Sequence, residues 1–454
     1  AGNVSSVPPP AMEFTAPPTA LISAITVSCR VVGEVNAMSG NNRWSQSPAE
    51  AQRRRHPVAD GSHTRHIRRM PSISNRLDTL SESVIRNTTR TANQFGAINL
   101  AQGFPDFPPP AALLDALERV AHGPFHQYAI TWGSQRFRDA LARKITRCAG
   151  VPIDPDQHLV VTCGGTEAMM VAMMTVCSPG DKVIIFSPYY ENYYADTVLS
   201  GAEAIWVPLR PPDFGFDPDE LERAFAQGAK AIILCNPGNP TGKVFTRAEL
   251  MVILALAEKY DAYIITDEPY EHMVHAPNEH CYAHALPGAF DRVIVTNSLS
   301  KTYSITGWRI GYVQAAPEVI RGARKVHDYL TIGAAAPLQE AAVTALEFPD
   351  SYYEGVRAFY TRQRELFLGY LRQTGLAFTE PQGAYYVMVD VSSLGFADDG
   401  EASDWFIKTI GVAGVAGSSF FREPVHNYLR FHFAKSDETL HAAGERLLKV
   451  REGR

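Results

Sequence analysis

Between residues 155 and 315 the chain repeats one pattern, in which a short run rich in Val and Ile ends in Gly, Pro, Asn or Asp and gives way to a helical stretch. Seven runs read as strands: "HLVVT" (158–162), "KVIIF" (182–186), "AIWVPL" (204–209), "AIILC" (231–235), "YIIT" (263–266), "RVIVT" (292–296) and "RIGYV" (309–313). Short apolar runs bounded by turn formers suit strands covered on both faces. Helix signals fall between them. Asp217 can cap a helix with Pro218 at its first position and Glu220 at its third, and Thr246 with Glu249 makes a capping box before "LMVILALAEKY". Strands alternating with helices predict an α/β fold whose seven-stranded, mostly parallel sheet is sandwiched by helices. The link from Thr296 to Arg309 is too short for a crossover helix, so the last strand is expected to run antiparallel.

A chain of 454 residues exceeds the roughly 250–300 that one core usually serves. After about residue 330 the pattern changes to long helices and then strand-like "AYYVMVDV" (384–391) and "YLRFHFA" (428–434), which predicts a smaller α+β domain. The expected division is a large domain over 108–328 and a small domain built from 71–107 and 329–454. Residues 1–70 are rich in Pro, Ser, Ala and Arg with no sustained apolar period, as expected of a disordered extension. Their eight arginines against Glu13, Glu34, Glu50 and Asp60 make them +4, leaving the rest of this −6 chain at about −10. Such an Arg-rich, acid-poor leader is also compatible with organellar targeting.

The acidic balance argues against a nucleic-acid surface. No apolar run approaches the roughly 20 residues that cross a bilayer. The cysteines, Cys29, Cys148, Cys163, Cys177, Cys235 and Cys281, form no CxxC pair, and reduced, buried thiols of a cytoplasmic protein are expected.

Ligands of an open parallel sheet bind beyond the carboxyl ends of its strands. After the first run, Gly164, Gly165 and Thr166 precede a helix, a backbone arrangement suited to anions. After the second, Tyr189 and Tyr190 offer rings that either stack on a planar ligand or pack in the core. Asn239 follows the fourth run in "NPGNPTG", Asp267 and Tyr270 follow the fifth in "TDEPYEHM", and Lys301 follows the sixth in "NSLSK". Together these put a phosphate cradle, a stacking ring, an amide, a carboxylate, a phenol and a lysine at one sheet edge. Pyridoxal 5'-phosphate needs that set: its aldehyde takes a lysine, its pyridine nitrogen a carboxylate, its ring oxygen donors, and its phosphate an anion site.

Through "NLAQGFPDFPPP", "CNPGNPTGKVF", "ITDEPYEHM" and "SLSKTYSITGWRIGY" the chain resembles fold-type I pyridoxal-phosphate enzymes of the class I/II aminotransferase family, from about residue 72 to 450. The motifs look nearest to the kynurenine/glutamine, methionine and aspartate-type branch. The resemblance implies an aspartate-aminotransferase-like fold, with Lys301 as the Schiff-base lysine, Asp267 as partner of the ring nitrogen, and Tyr270 and Asn239 as donors to the ring oxygen. It implies phosphate contacts from Gly165, Thr166, Glu167, Ser298 and Arg309, and stacking by Tyr190. Arg430 would fork onto the substrate α-carboxylate with help from the Gly103 N–H and Asn239, and Tyr128 would reach the phosphate of a neighbouring subunit in a homodimer. Glu167 is a departure, because an acidic group beside a phosphate is unfavourable unless it points away.

The implied reaction moves an amino group from an L-α-amino acid to a 2-oxo acid, with Lys301 as proton carrier at a pKa lowered by Arg309 and burial. The same motifs fit β- or γ-elimination or replacement, including action on S-adenosylmethionine, and a non-catalytic regulator with this fold is a further alternative. Nothing in the sequence fixes the substrate side chain.

Overall fold

The computed structural model describes residues 71–452, so the extension expected over residues 1–70 lies outside the described residues. All seven anticipated strands form. A two-residue strand β1 (Ile98–Asn99) comes first, followed by β2 (Leu159–Thr162), β3 (Lys182–Ser187), β4 (Glu203–Pro208), β5 (Ala229–Cys235), β6 (Tyr263–Asp267), β7 (Val293–Ser298) and β8 (Gly311–Gln314). From β2 onward they make one sheet in the order β2-β8-β7-β6-β5-β3-β4. Only β8 runs antiparallel to its neighbours.

Why the runs lack a polar alternation is plain from the packing. Ile233, Ile265 and Ile294 point to one face, against Ala168, Met169 and Ala172 of helix Gly165–Val176. Ile232, Ile264 and Val293 point to the other, against Leu221 of helix Pro218–Phe225 and Ile253 of helix Arg247–Lys259. With both faces covered, each position gains from being apolar, and each buried Val or Ile contributes roughly 1.5–3 kcal/mol. The expected caps are present. Asp217 accepts from the Asp219 and Glu220 N–H groups, and Thr246 and Glu249 close a full capping box; losing such a cap costs about 1 kcal/mol.

The reversal of β8 positions the chemistry. Its register pairs Gly311 with Ser298, so the residues entering β8, Arg309 among them, lie at the edge where β5, β6 and β7 end.

Beyond residue 380 come β9 (Tyr386–Asp390), β10 (Val412–Ala413), β11 (Val415–Ala416) and β12 (Tyr428–His432). β11, β12 and β9 form an antiparallel sheet, backed by Phe367 and Leu371 of helix Asp350–Thr374 and Leu440 of helix Asp437–Leu447. β1 pairs with β10 in parallel, tying the segment near residue 100 to the C-terminal part of the chain.

Among the described residues no helix is long and apolar enough to cross a membrane. The five described cysteines are unpaired, as expected, but only Cys177 is fully buried; burial, with Asp181 nearby, pushes its thiol up to about 12.

Candidate active site

A cavity of about 240 Å³ opens at the carboxyl edge of the sheet. One end is a cluster of anion-binding groups. Gly164 has φ +86°, and a Cβ there would sit 2.4 Å from Nη2 of Arg309, so only glycine lets the turn lie against the guanidinium. Gly165 and Thr166 then start helix Gly165–Val176, whose first N–H groups have no intrahelical acceptor. Ser298 at the end of β7 and Arg309 line the same end. Arg309 is held in a left-handed conformation, φ 56°, and donates to the Thr306 carbonyl at 3.0 Å.

Deeper in lie the lysine and the carboxylate. Lys301 Nζ donates to the Gly103 carbonyl at 2.9 Å. Burial, then Arg309 and Arg430, bring its pKa down to about 8 against the opposing pull of Asp267. Asp267 ends β6 and accepts from the Tyr193 hydroxyl at 2.7 Å, while among the described residues no ion pair reaches it. Burial pushes its pKa up to about 7, with Tyr193 and Lys301 pulling the other way and Glu268 adding to the rise. A carboxylate this deep keeps its charge only beside a cation.

Opposite stands Arg430, 1% exposed. It donates to Asn239 Oδ1 and to the Ala101 carbonyl, both at 2.7 Å, and lies between the rings of Tyr386 and Phe420, 4.5 Å from each centroid. Its Nε is buried with no partner. With the Asn239 oxygen turned to Arg430, the amide NH2 is left to donate elsewhere. The Tyr270 hydroxyl meets that of Tyr386 at 2.9 Å, and burial holds the Tyr270 phenol well above its ordinary value, protonated and able to donate.

Thus Gly103, Gly165, Thr166, Tyr190, Asn239, Asp267, Tyr270, Ser298, Lys301, Arg309 and Arg430 all line one cavity. Of the two tyrosines left open by the sequence, Tyr190 faces it, whereas Tyr189 packs on Trp206 with ring centroids 4.7 Å apart. Tyr128 is 84% exposed and is not brought to the cavity of its own chain. Glu167, expected among the phosphate contacts, turns away: it accepts from the Cys163 N–H, His327 and Thr331 and lies outside the cavity lining. Sequence reasoning missed Tyr193, although it stands one helical turn beyond Tyr190, and it missed Tyr386, whose contact with Tyr270 spans 116 positions.

The description "Aminotransferase class I and II" is that of the family model matching residues 96–447. The methionine aminotransferase of Escherichia coli K12 is 34% identical over 83% of this chain and 97% of its own length. Human kynurenine–oxoglutarate transaminase 1 is 32% identical over 82% of this chain and 97% of its own. The crystal structure of an E. coli methionine aminotransferase superposes with a TM-score of 0.81 at 33% identity, covering 84% of this chain and all of that one.

Proposed function

The chain belongs to the class I and II aminotransferases and transfers amino groups, and from that premise we propose that it carries an amino group from an L-α-amino acid to a 2-oxo acid with pyridoxal 5'-phosphate at the edge of the large sheet. The family implies this cofactor, and the donor set fits it. Asp267, a desolvated carboxylate with no ion-pair partner among the described residues, faces the same cavity as Lys301 and an anion-binding turn. When bound, pyridoxal phosphate supplies an aldehyde that condenses with amines and a protonated ring that draws off the electron pair left as the substrate Cα–H bond breaks.

The side chains do the rest. Lys301 Nζ would hold the cofactor aldehyde and, as a free amine, would be the group that takes and returns the substrate Cα proton. It can do so near neutrality because burial, Arg309 and Arg430 disfavour its ammonium form. Asp267 would balance a protonated ring nitrogen, and that cation would in turn favour the ionised carboxylate. Asn239 Nδ2 and the Tyr270 hydroxyl would donate to the ring oxygen, Tyr190 would cover the ring, and the N–H groups of Gly165 and Thr166 with Ser298 and Arg309 would hold the phosphate. Arg430 clamps the substrate α-carboxylate, helped by the Gly103 N–H, and orients the Cα–H bond for transfer.

We read residues 71–107 with 329–454 as the small domain and 108–328 as the large, cofactor-binding one. Tyr128 and Ile130, with Tyr329, Leu330 and Ile332, are large side chains left exposed in two segments joined by the His327–Thr131 bond. A surface of this kind suits a homodimer interface in which Tyr128 serves the neighbour's phosphate. Unpaired cysteines fit a reducing, cytoplasmic setting.

The observation that carries this reading is the buried Lys301 amine sharing one cavity with Asp267 and Arg430. The test is a panel of L-amino acids and 2-oxo acids with both products quantified. Matched formation of a new oxo acid and a new amino acid, lost in Lys301→Ala, is expected. An elimination product without amino transfer contradicts it.

A further inference from the structure

Glu167 is the third residue of helix Gly165–Val176, where an acidic side chain would work against an anion at the helix start. Its carboxylate is instead consumed elsewhere. Oε2 accepts from the Cys163 N–H at 2.5 Å, and Oε1 accepts from His327 Nδ1 at 2.8 Å and from the Thr331 hydroxyl at 2.7 Å. His327, whose side chain is 0% exposed, has its other nitrogen 3.0 Å from the Thr131 carbonyl. The Thr331 hydroxyl also lies 3.3 Å from His327 Nδ1, so carboxylate, imidazole and hydroxyl form one network.

Two further bonds fix what the histidine holds. The Thr131 hydroxyl donates to Asp328 at 3.2 Å, and the Val161 N–H of β2 donates to the Trp132 carbonyl at 3.1 Å. The loop carrying Tyr128 and Thr131, helix Pro317–Thr331 and the entry to the phosphate turn thus meet at one hydrogen-bonded pair. Burial alone would push the Glu167 carboxyl up, but the His327 and Cys163 hydrogen bonds outweigh it and hold it below its ordinary value.

We propose that Glu167 and His327 form a hydrogen-bonded clasp that sets the phosphate-binding turn against the loop over residues 125–133, making His327 a positioning residue for the phosphate end of the cofactor. The proposal rests on the reading of the cavity as a pyridoxal-phosphate site. With the clasp intact, the Glu167 carboxylate is held away from the cavity, and the N–H groups of Gly165 and Thr166 keep their aim into it. Without His327, the Glu167 carboxylate loses a hydrogen-bond partner right beside Thr166.

The test compares dissociation constants of pyridoxal phosphate and of pyridoxal, which lacks the phosphate, for the full chain stripped of cofactor. In His327→Gln, pyridoxal phosphate should bind about 10- to 100-fold more weakly, the range for a lost hydrogen bond to a charged group, while pyridoxal shifts less than about threefold. Glu167→Gln keeps the side-chain size and one acceptor oxygen but replaces the other with an NH2 donor and removes the charge, so it reports even if His327→Gln folds poorly; it should weaken pyridoxal phosphate selectively as well. The double variant should bind more tightly than His327→Gln alone, because the stranded carboxylate is gone. Equal weakening of both ligands, no weakening, or additive losses in the double variant overturn the clasp while leaving the site reading intact. A wild-type chain that binds neither ligand overturns the site reading and the clasp with it.

Discussion

Asp267 ends β6 and Glu271 follows four residues later, and each belongs to a lysine–acid neighbourhood of opposite design. Glu271 is saturated, accepting from Lys144 Nζ at 2.5 Å, the Tyr282 hydroxyl at 2.7 Å and the Asn297 amide at 3.1 Å. Burial pushes its carboxyl up, but Lys144 and then His272 outweigh that and hold it far below the usual carboxylate range. Burial likewise opposes the Lys144 ammonium, yet Glu271 keeps its pKa above the ordinary lysine value. Asp267 and Lys301 are shifted the other way, to about 7 and about 8, because each is desolvated without a matched opposite charge in hydrogen-bond reach. The same residue types are structural when they neutralise each other and chemically available when they are kept apart at the wall of a cavity.

That contrast can be broken from either side. Lys301→Ala should lower amino transfer by at least about a thousandfold, the scale of losing a positioned proton carrier, with the melting temperature of the cofactor-free chain unchanged or raised; residual activity within tenfold of wild type would remove Lys301 from the chemistry. Lys144→Met should do the reverse. It strands Glu271 and costs about 3–5 kcal/mol of stability in denaturant titration, most of it recovered in Lys144→Met/Glu271→Leu, while transfer by the folded enzyme changes little.

Asp267→Asn sharpens the comparison twice. Turnover should fall about 10²–10³-fold, as expected when a preorganised charge is removed from a reacting centre. The cofactor-free variant should also be more stable than wild type by on the order of 2 kcal/mol at neutral pH. The sign follows from the raised pKa: both folded and unfolded Asp267 are protonated below about 4, and between there and about 7 only the unfolded form ionises. Wild-type stability is therefore lost across that window, and the variant's advantage should grow from pH 4 to 7 and then level off. An advantage independent of pH would mean that the carboxylate is not the source of the cost.

Much of this was legible in the residues. Seven apolar runs gave seven strands because both sheet faces are covered, and the short link before Arg309 foretold the reversed β8 that carries it to the site edge. Strand-end Asn239, Asp267 and Lys301 were readable because topology alone gathers strand ends. What stayed hidden depends on distance along the chain or on rotamers. Tyr193 sits in an aromatic run where packing explains a tyrosine equally well. The Arg430–Asn239 bond spans 191 positions and the Glu167–His327 bond 160, and no periodicity encodes such pairings. β1 and β10, two residues each, are too short to leave a pattern.

The account turns on the availability of the Lys301 amine, which pH-dependent labelling of the cofactor-free chain reads directly. The chain is exposed briefly to pyridoxal phosphate across a pH series, reduced with borohydride, and its lysine peptides are quantified. Lys301 should dominate, its labelling rate rising with pH and levelling off above about 8, while Lys144 stays unlabelled throughout. Labelling centred on another lysine, or a Lys301 rate still climbing tenfold per unit beyond pH 9, would contradict it.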